Sequence, residues 1–183
     1  MHKINIKYFT FIEDFNKENI KKLNKKIILI FRNYEKNPDI EMLRKLKNFC
    51  KENNRIILLS NNIKLAKTLN FDGAYIPSFN KRLMNYKIGI KKKFLIVGSA
   101  HTKNEIYIKI KQKVDFILLS PIFKIKKKLD YLDIPKFNTL ANSTNKKIIA
   151  LGGINECNIK RLNMLNINGF ASITFFKNKY KLL

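Results

Sequence analysis

Residues 94–123 read "FLIVGSAHTKNEIYIKIKQKVDFILLSPIF" and contain two apolar runs, at 94–100 and 115–123, separated by a longer polar segment. The apolar runs are typical of strands, and the segment between them has the length and composition of a helix. A strand that is apolar on both faces must be covered on both faces, so the stretch predicts a strand–helix–strand unit of a parallel sheet.

The same alternation continues along the whole chain. Strands are predicted at 8–12, 26–32, 55–60, 73–77, 94–100, 115–123, 147–153 and 169–176. Helical segments are predicted at 14–24, 39–53, 62–70, 104–113, 134–143 and 156–166, with a weaker one near 80–87. In the second of these, Ile40, Leu43, Leu46 and Phe49 recur at helical spacing, and Pro38 and Asp39 are expected to open the helix.

Eight strand–helix units predict an α/β fold, a compact (β/α)₈ TIM barrel that forms a single domain over residues 1–183. A doubly wound open sheet is the alternative. Only "KNKYKLL" follows the last predicted strand, so we expect the last helix to be short or missing. The barrel wall there is expected to be bare or covered by a partner subunit in a homo-oligomer.

The net charge of +25 comes mainly from lysines spread along the chain, which is typical of a solvated surface. The basic residues show no aromatic interleaving and no recognised module, so nucleic-acid binding is not favoured. Cys50 and Cys157 form no CxxC motif, which argues against a disulfide framework or a zinc site. Neither a signal peptide nor an apolar run of membrane-spanning length is present, so a cytoplasmic location without membrane contact is expected.

Candidate functional residues follow the strands, because a barrel builds its active site at their carboxyl ends. The predicted strand ends carry Arg32, Ser60–Asn62, Pro77–Ser78, Ser99–Thr102, Ser120–Pro121, Gly152–Gly153 and Ser172–Thr174. This ring of polar residues and glycines favours an enzyme with a polar substrate.

Three features of this ring suggest specific chemistry. Gly153 and the Ile173–Thr174 pair end neighbouring strands, where backbone amides could bind a phosphate, although paired glycines also make simple tight turns. His101 could transfer a proton near neutral pH or only hydrogen-bond its loop. Lys128 could contact an anionic substrate.

The pattern "VGSAHT…DFILLSPIF…KK…IIALGGI…N…GFASIT" resembles the thiamine phosphate synthase and thiazole tautomerase family of (β/α)₈ barrels. The resemblance is strongest over residues 94–176 and weaker over 8–80. It implies a transferase of thiamine biosynthesis that couples hydroxymethylpyrimidine pyrophosphate to thiazole phosphate. Pyrophosphate is released, and Mg²⁺ steadies this leaving group.

The resemblance also assigns roles to residues. It places the thiazole phosphate at Gly153, Ile173 and Thr174. It places Ser99 near the pyrophosphate, with Arg32 as a further substrate contact. The catalytic positions that it implies are His101 and Lys128.

Two positions depart from the family pattern. The magnesium ligands of the family correspond to Asn61 and Asn80, and neutral amides bind Mg²⁺ far more weakly than carboxylates do. Mg²⁺ is therefore a cofactor that the family implies but that these residues do not favour. Alternatives are a tautomerase that isomerises a thiazole carboxylate phosphate with His101 and no metal, or a non-catalytic binder of thiazole phosphate.

Overall fold

The computed structural model describes residues 6–34, 39–83, 94–125 and 130–178. Its eight strands form a closed, parallel barrel in chain order, which confirms the predicted TIM barrel. The strands are β1 Lys7–Ile12, β2 Ile27–Phe31, β3 Ile57–Ser60, β4 Gly73–Ile76, β5 Leu95–Ala100, β6 Phe116–Leu119, β7 Lys147–Leu151 and β8 Gly169–Ala171. The open-sheet alternative is wrong, because β8 pairs with β1 and places Phe170 opposite Tyr8.

Helices alternate with the strands. They are α1 Lys17–Lys22, α2 Ile40–Glu52, α3 Ile63–Thr68, α4 Lys103–Lys111, α5 Asp133–Ala141 and α6 Thr174–Asn178, with a 3₁₀ helix at Ile159–Met164. Polar side chains cap four of them, because Asn16, Asp39, Asn62 and Thr102 each accept a backbone amide of the first turn. Within the described ranges, no helix has the length and apolar character that crossing a membrane requires.

Four local predictions need correction. The last strand ends at Ala171 and not at 176, and α6 begins three residues later. The helix predicted at 156–166 is reduced to the 3₁₀ helix, and residues 80–83 of the weak prediction form no helix, while 84–87 lie outside the described residues. Ile40 is half exposed instead of buried, because it occupies the first turn of α2. Pro38 lies outside the described residues.

Two apolar layers follow from the alternation of side chains along each strand. One set faces into the barrel, where the rings of Phe9 and Phe116 pack edge to face at 5.9 Å. The other set faces the helices and includes Leu29 and Leu119, both fully buried. Burial on both faces explains why the strands read as continuous apolar runs.

Reciprocal hydrogen bonds brace the amino-terminal end of the barrel. The residue before β4, Asp72, donates its backbone amide to the carbonyl of Ile57 and accepts the amide of Ile57 on its side chain at 2.9 Å. The same exchange joins Asp115 with Ile96, and Asn168 with Ile148. Three successive strand pairs are therefore fixed at the end of the barrel opposite the expected active site.

The wall beside β8 is thinly covered in the described part of the chain. Five residues of α6, Thr174–Asn178, lie within the described part of the chain. An apolar groove of about 320 Å³ lies on the outside of β1 and β8, and its lining includes Tyr8, Leu162 and Phe170.

Candidate active site

Three residues of the predicted site lie directly above the layer of side chains that faces into the barrel. Ile30 and Val97 belong to the interior layer, and two residues further along their strands come Arg32 and Ser99. Ile173 packs against the same layer after β8. Since side chains alternate along a strand, these three residues extend the interior surface to its carboxyl-terminal mouth.

Arg32 lies at this mouth with two contacts. Its Nη2 donates a hydrogen bond of 3.1 Å to Glu13, and its guanidinium carbon lies 4.5 Å from the ring centroid of Phe11. About a third of its side chain is exposed. The ring and the carboxylate fix the orientation of a guanidinium that still has donors available for an anion.

Ser99 lies beside Tyr75, which the sequence did not single out as a functional residue. The hydroxyl of Tyr75 donates a 2.8 Å hydrogen bond to Ser99 Oγ, and both side chains are buried. Burial raises the pKa of Tyr75 to about 12, so it is a neutral donor at physiological pH. The Tyr75 ring also packs edge to face on Phe11, which connects Ser99 to the surroundings of Arg32.

The two glycines after β7 are required by a close approach of backbones. Both have positive φ, and a Cβ on Gly152 would lie 2.8 Å from the Cβ of Pro121. A Cβ on Gly153 would lie 2.6 Å from the carbonyl oxygen of Phe123. The loop after β6 therefore packs directly on the glycine pair, which only residues without a side chain permit.

Ser172 joins the ends of β7 and β8. Its hydroxyl donates to the carbonyl of Ile154 at 3.2 Å and accepts the backbone amide of Phe175. The bond to Ile154 places this residue, which follows Gly153, in contact with Ser172, which precedes Ile173. Within the described ranges, the backbone amides of Gly153, Ile173 and Thr174 have no hydrogen-bond acceptor. The corner formed by residues 153–154 and 172–174 thus contains the three amides that the sequence assigns to a phosphate.

His101, which precedes the N-cap of α4, is held by a residue of that helix. One carboxylate oxygen of Glu105 accepts the backbone amide of His101 at 2.6 Å and lies 3.1 Å from its Nδ1. The Glu105 amide in turn donates to Thr102 Oγ1. Sequence reasoning missed Glu105, although a glutamate four residues after a histidine at a helix start is a detectable signal.

Asn61 and Asn80, at the ends of β3 and β4, bind each other. Nδ2 of Asn80 donates a 2.8 Å hydrogen bond to Oδ1 of Asn61, and Oδ1 of Asn80 accepts the Arg82 amide. Both amide oxygens are already hydrogen-bonded, and neither carries a charge. These residues therefore do not fit Mg²⁺, which prefers anionic oxygens.

The remaining acids, histidines and cysteines offer no replacement for this site. In the portions of the chain that the structure describes, no three or more such side chains form a group that could hold a metal. Cys50 is buried and Cys157 is exposed, and both are free thiols.

Aromatic rings occupy the mouth next to the amide pair. The hydroxyls of Tyr34 and Ser60 lie 2.9 Å apart, and the ring of Tyr34 packs edge to face on Phe79 at 5.6 Å. Both rings are at least half exposed. This part of the site is aromatic.

A cavity of about 260 Å³ opens beside the mouth, between the end of β1, α1 and α6. Of the predicted site residues that the structure describes, Ile173 alone lines it. Contacts of Phe11 and Tyr75 thus connect Arg32 with Ser99. The hydrogen bond of Ser172 to Ile154 connects the loop of Gly153 with that of Ile173. Lys128 lies outside the described residues.

Comparisons with known proteins agree with this architecture. A family model described as thiamine monophosphate synthase matches residues 16–176. The thiamine-phosphate synthase of Methanococcus vannielii is 24% identical over 137 residues, which are 74% of this chain and 66% of that protein. The thiamine-phosphate synthase of Prochlorococcus marinus is 28% identical over 141 residues, or 74% of this chain and 41% of that protein. The aligned part thus spans less than two thirds of either relative.

Among solved structures, thiamine phosphate pyrophosphorylase from Pyrococcus furiosus superposes with a TM-score of 0.77 at 15% identity. The match covers 97% of this chain and 92% of that one. It demonstrates the same fold over nearly the full length of both chains.

Proposed function

Because the chain belongs to the thiamine monophosphate synthase family, we propose that it is a transferase of thiamine biosynthesis with thiamine-phosphate synthase activity. Its substrates would be a thiazole phosphate and hydroxymethylpyrimidine pyrophosphate, and its products thiamine phosphate and pyrophosphate. The observation that carries the proposal is the corner that Ser172 builds between Gly153 and Ile173.

The thiazole phosphate would bind at this corner. The amides of Gly153, Ile173 and Thr174 supply donors, and backbone amides without a nearby Cβ can approach phosphate oxygens closely. The Ser172 hydroxyl keeps the two loops in register through Ile154. This arrangement recognises the phosphate by geometry, without a charged side chain among the described contacts.

The pyrophosphate would leave from the opposite side of the mouth. The bond between the pyrimidine methyl carbon and the pyrophosphate oxygen breaks, and its electron pair departs with pyrophosphate. The thiazole nitrogen then donates its lone pair to the carbocation and forms the new C–N bond. Arg32 and Lys128 are assigned to the developing negative charge, and Ser99, oriented by Tyr75, to a pyrophosphate oxygen.

Two observations support a second candidate, the thiazole tautomerase. His101 with its Glu105 partner is arranged as a proton-transfer pair, and Asn61 and Asn80 do not fit the metal. The known relatives are named as synthases and do not favour this alternative.

The deciding experiment incubates the full chain with both synthase substrates, with Mg²⁺ or with EDTA, and measures thiamine phosphate and pyrophosphate. We expect product that requires Arg32, so that Arg32→Met lowers kcat/KM by roughly 100-fold, as loss of a charge-stabilising donor does. Arg161→Met is the matched control, because Arg161 also contacts a carboxylate and a phenyl ring, Asp133 and Phe123.

Other results of these assays would identify a different function. Isomerisation of a thiazole carboxylate phosphate that His101→Ala abolishes would identify the tautomerase. Binding of thiazole phosphate without turnover of either substrate set would identify a non-catalytic binder. A homo-oligomer is part of the proposal, and light scattering of the same preparation tests it.

A further inference from the structure

A lysine of α4 is buried beneath the loop that follows β4. Lys109 has no exposed surface, and its ammonium donates three hydrogen bonds. The acceptors are the carbonyls of Pro77 and Asn80, at 2.8 and 3.0 Å, and Oε1 of Gln112, at 3.0 Å. Lysines are rarely buried completely, and these acceptors are all neutral.

Gln112 completes the attachment. Its Nε2 donates to the carbonyls of Asn80 and Arg82, at 3.0 and 2.9 Å. The two side chains therefore bind three carbonyls of residues 77–82 and one another, which fixes the backbone of this loop to α4.

The barrel leaves space for the lysine. A Cβ on Gly98 of β5 would lie 2.8 Å from Cδ of Lys109, so the aliphatic stem occupies the volume that a side chain on Gly98 would fill. The strand and the helix are thus complementary at this point. Because of this fit, the Lys109 side chain passes between β5 and α4 and reaches the loop after β4 at the mouth of the barrel.

Asn80, which contacts Asn61, lies in the loop that Lys109 and Gln112 fix. Asn80 presents its side-chain amide to Asn61 at 2.8 Å while Lys109 and Gln112 both bind its backbone carbonyl. This hydrogen bond joins the loop after β4 to the end of β3.

We propose that Lys109, with Gln112, is a positioning residue for the pyrophosphate side of the site, where it fixes the loop 77–82 and so places Asn80 against Asn61. The Lys109 ammonium fixes the position of Asn80 through hydrogen bonds. Asn61 and Asn80 lack the negative charge that would let a metal ion do so. The inference rests on the proposed function for its consequence in catalysis, but the loop attachment can be measured independently.

The first measurement is hydrogen exchange of the backbone amides of residues 78–82 in the full chain. Lys109→Met, which keeps the length of the stem, is expected to increase exchange in this loop by roughly tenfold or more, since it removes three hydrogen bonds. Lys47→Met is the matched control. Lys47 is a buried helical lysine whose ammonium binds Asp72 at the opposite end of the barrel, so its loss should leave exchange in 78–82 unchanged.

The second measurement separates positioning from general loss of stability. Lys109→Met is expected to raise KM for the pyrimidine pyrophosphate by roughly tenfold, with less than about a twofold change in thiazole phosphate binding. If Lys109→Met does not fold, Gln112→Leu tests the same loop, because it removes two donors and leaves the ammonium in place.

Unchanged exchange in residues 78–82 of either folded variant would overturn the proposal. So would equal weakening of both substrates by Lys109→Met but not by Lys47→Met. If the wild-type chain turns over neither substrate set, the proposed function fails, and loop exchange together with binding of inorganic pyrophosphate still decides the role of Lys109.

Discussion

The side-chain amide of Asn80 donates a 2.8 Å hydrogen bond to the side-chain oxygen of Asn61, and this contact joins the ends of β4 and β3 at the mouth of the barrel. This is the contact of an amide pair, which needs no ion to be stable.

Replacing both amides by carboxylates should create a magnesium site. Asn61→Asp with Asn80→Asp places two like charges within contact distance, so we expect lower stability without metal and a rise in Tm of several degrees in millimolar Mg²⁺. Calorimetry should detect Mg²⁺ binding in this double variant only.

The matched control for that experiment is Asn142→Asp with Asn166→Asp. Those residues also form an exposed amide–amide hydrogen bond of 2.8 Å, but it joins the end of α5 to the segment before β8, away from the barrel mouth. Mg²⁺ binding by the wild-type protein as tight as that of the double variant at Asn61 and Asn80 would contradict the prediction.

The hydrogen bond between Tyr75 and Ser99 should contribute measurably to stability. Tyr75→Phe removes a buried donor and should lower the free energy of unfolding by about 1 kcal/mol. Ser99→Ala should cost about 1–3 kcal/mol, because it leaves the Tyr75 hydroxyl without this acceptor in a buried position. Urea unfolding of both single variants and the double variant measures the coupling, and additive effects would show that the bond contributes nothing.

Gly153→Ala should damage both stability and phosphate binding. The new methyl group would lie within 2.7 Å of the carbonyl oxygens of Phe123 and Lys124, and φ at this position is +71°. Strain and displacement of the loop together should cost about 2–4 kcal/mol. Asn158→Ala, which removes the side-chain donor to the Gly153 carbonyl and the side-chain acceptor of the Asn155 amide, should cost about 1–2 kcal/mol when both variants are compared by thermal unfolding.

Stability should rise with pH because of Lys109. Burial lowers its pKa from 10.5 to about 8, against an opposing influence of Glu105. Below about pH 8 the lysine is charged in both states, and the folded protein bears the full cost of the buried charge. Between about pH 8 and 10.5 the folded state loses the proton while the unfolded state keeps it, so unfolding becomes less favourable.

The expected gain across this range is about 3 kcal/mol, at about 1.4 kcal/mol for each pH unit. The quantity to compare is the change in unfolding free energy from pH 7.5 to 10 in the wild type and in Lys109→Met. Parallel pH profiles for the two proteins would show that Lys109 does not titrate in this range.

The sequence predicted the barrel because its strands are short, apolar and separated by capped helices, which are local properties. It failed at 169–176, where "GFASITFF" reads as one strand, because Phe175 and Phe176 are buried from a helix instead. Periodicity alone does not distinguish a buried strand from a short buried helix.

Some site residues are likewise placed by local sequence, and others by contacts with distant parts of the chain. The position of Arg32, Ser99 and Gly153 at strand ends follows from strand boundaries alone. The burial of Lys109 does not, because it depends on Gly98 in another element and on carbonyls about thirty residues away. Local sequence assigns such a lysine to the solvent face of a helix.

The braces at the amino-terminal end of the barrel bear on how the chain folds. Each joins residues only 15 to 20 positions apart, whereas the bond from Thr10 to Ser172 closes the ring across 162 positions. Short loops close at a lower entropic cost than long ones. Successive strand pairs can therefore assemble as local units during synthesis, and ring closure, the contact of greatest sequence separation, is left as the final event.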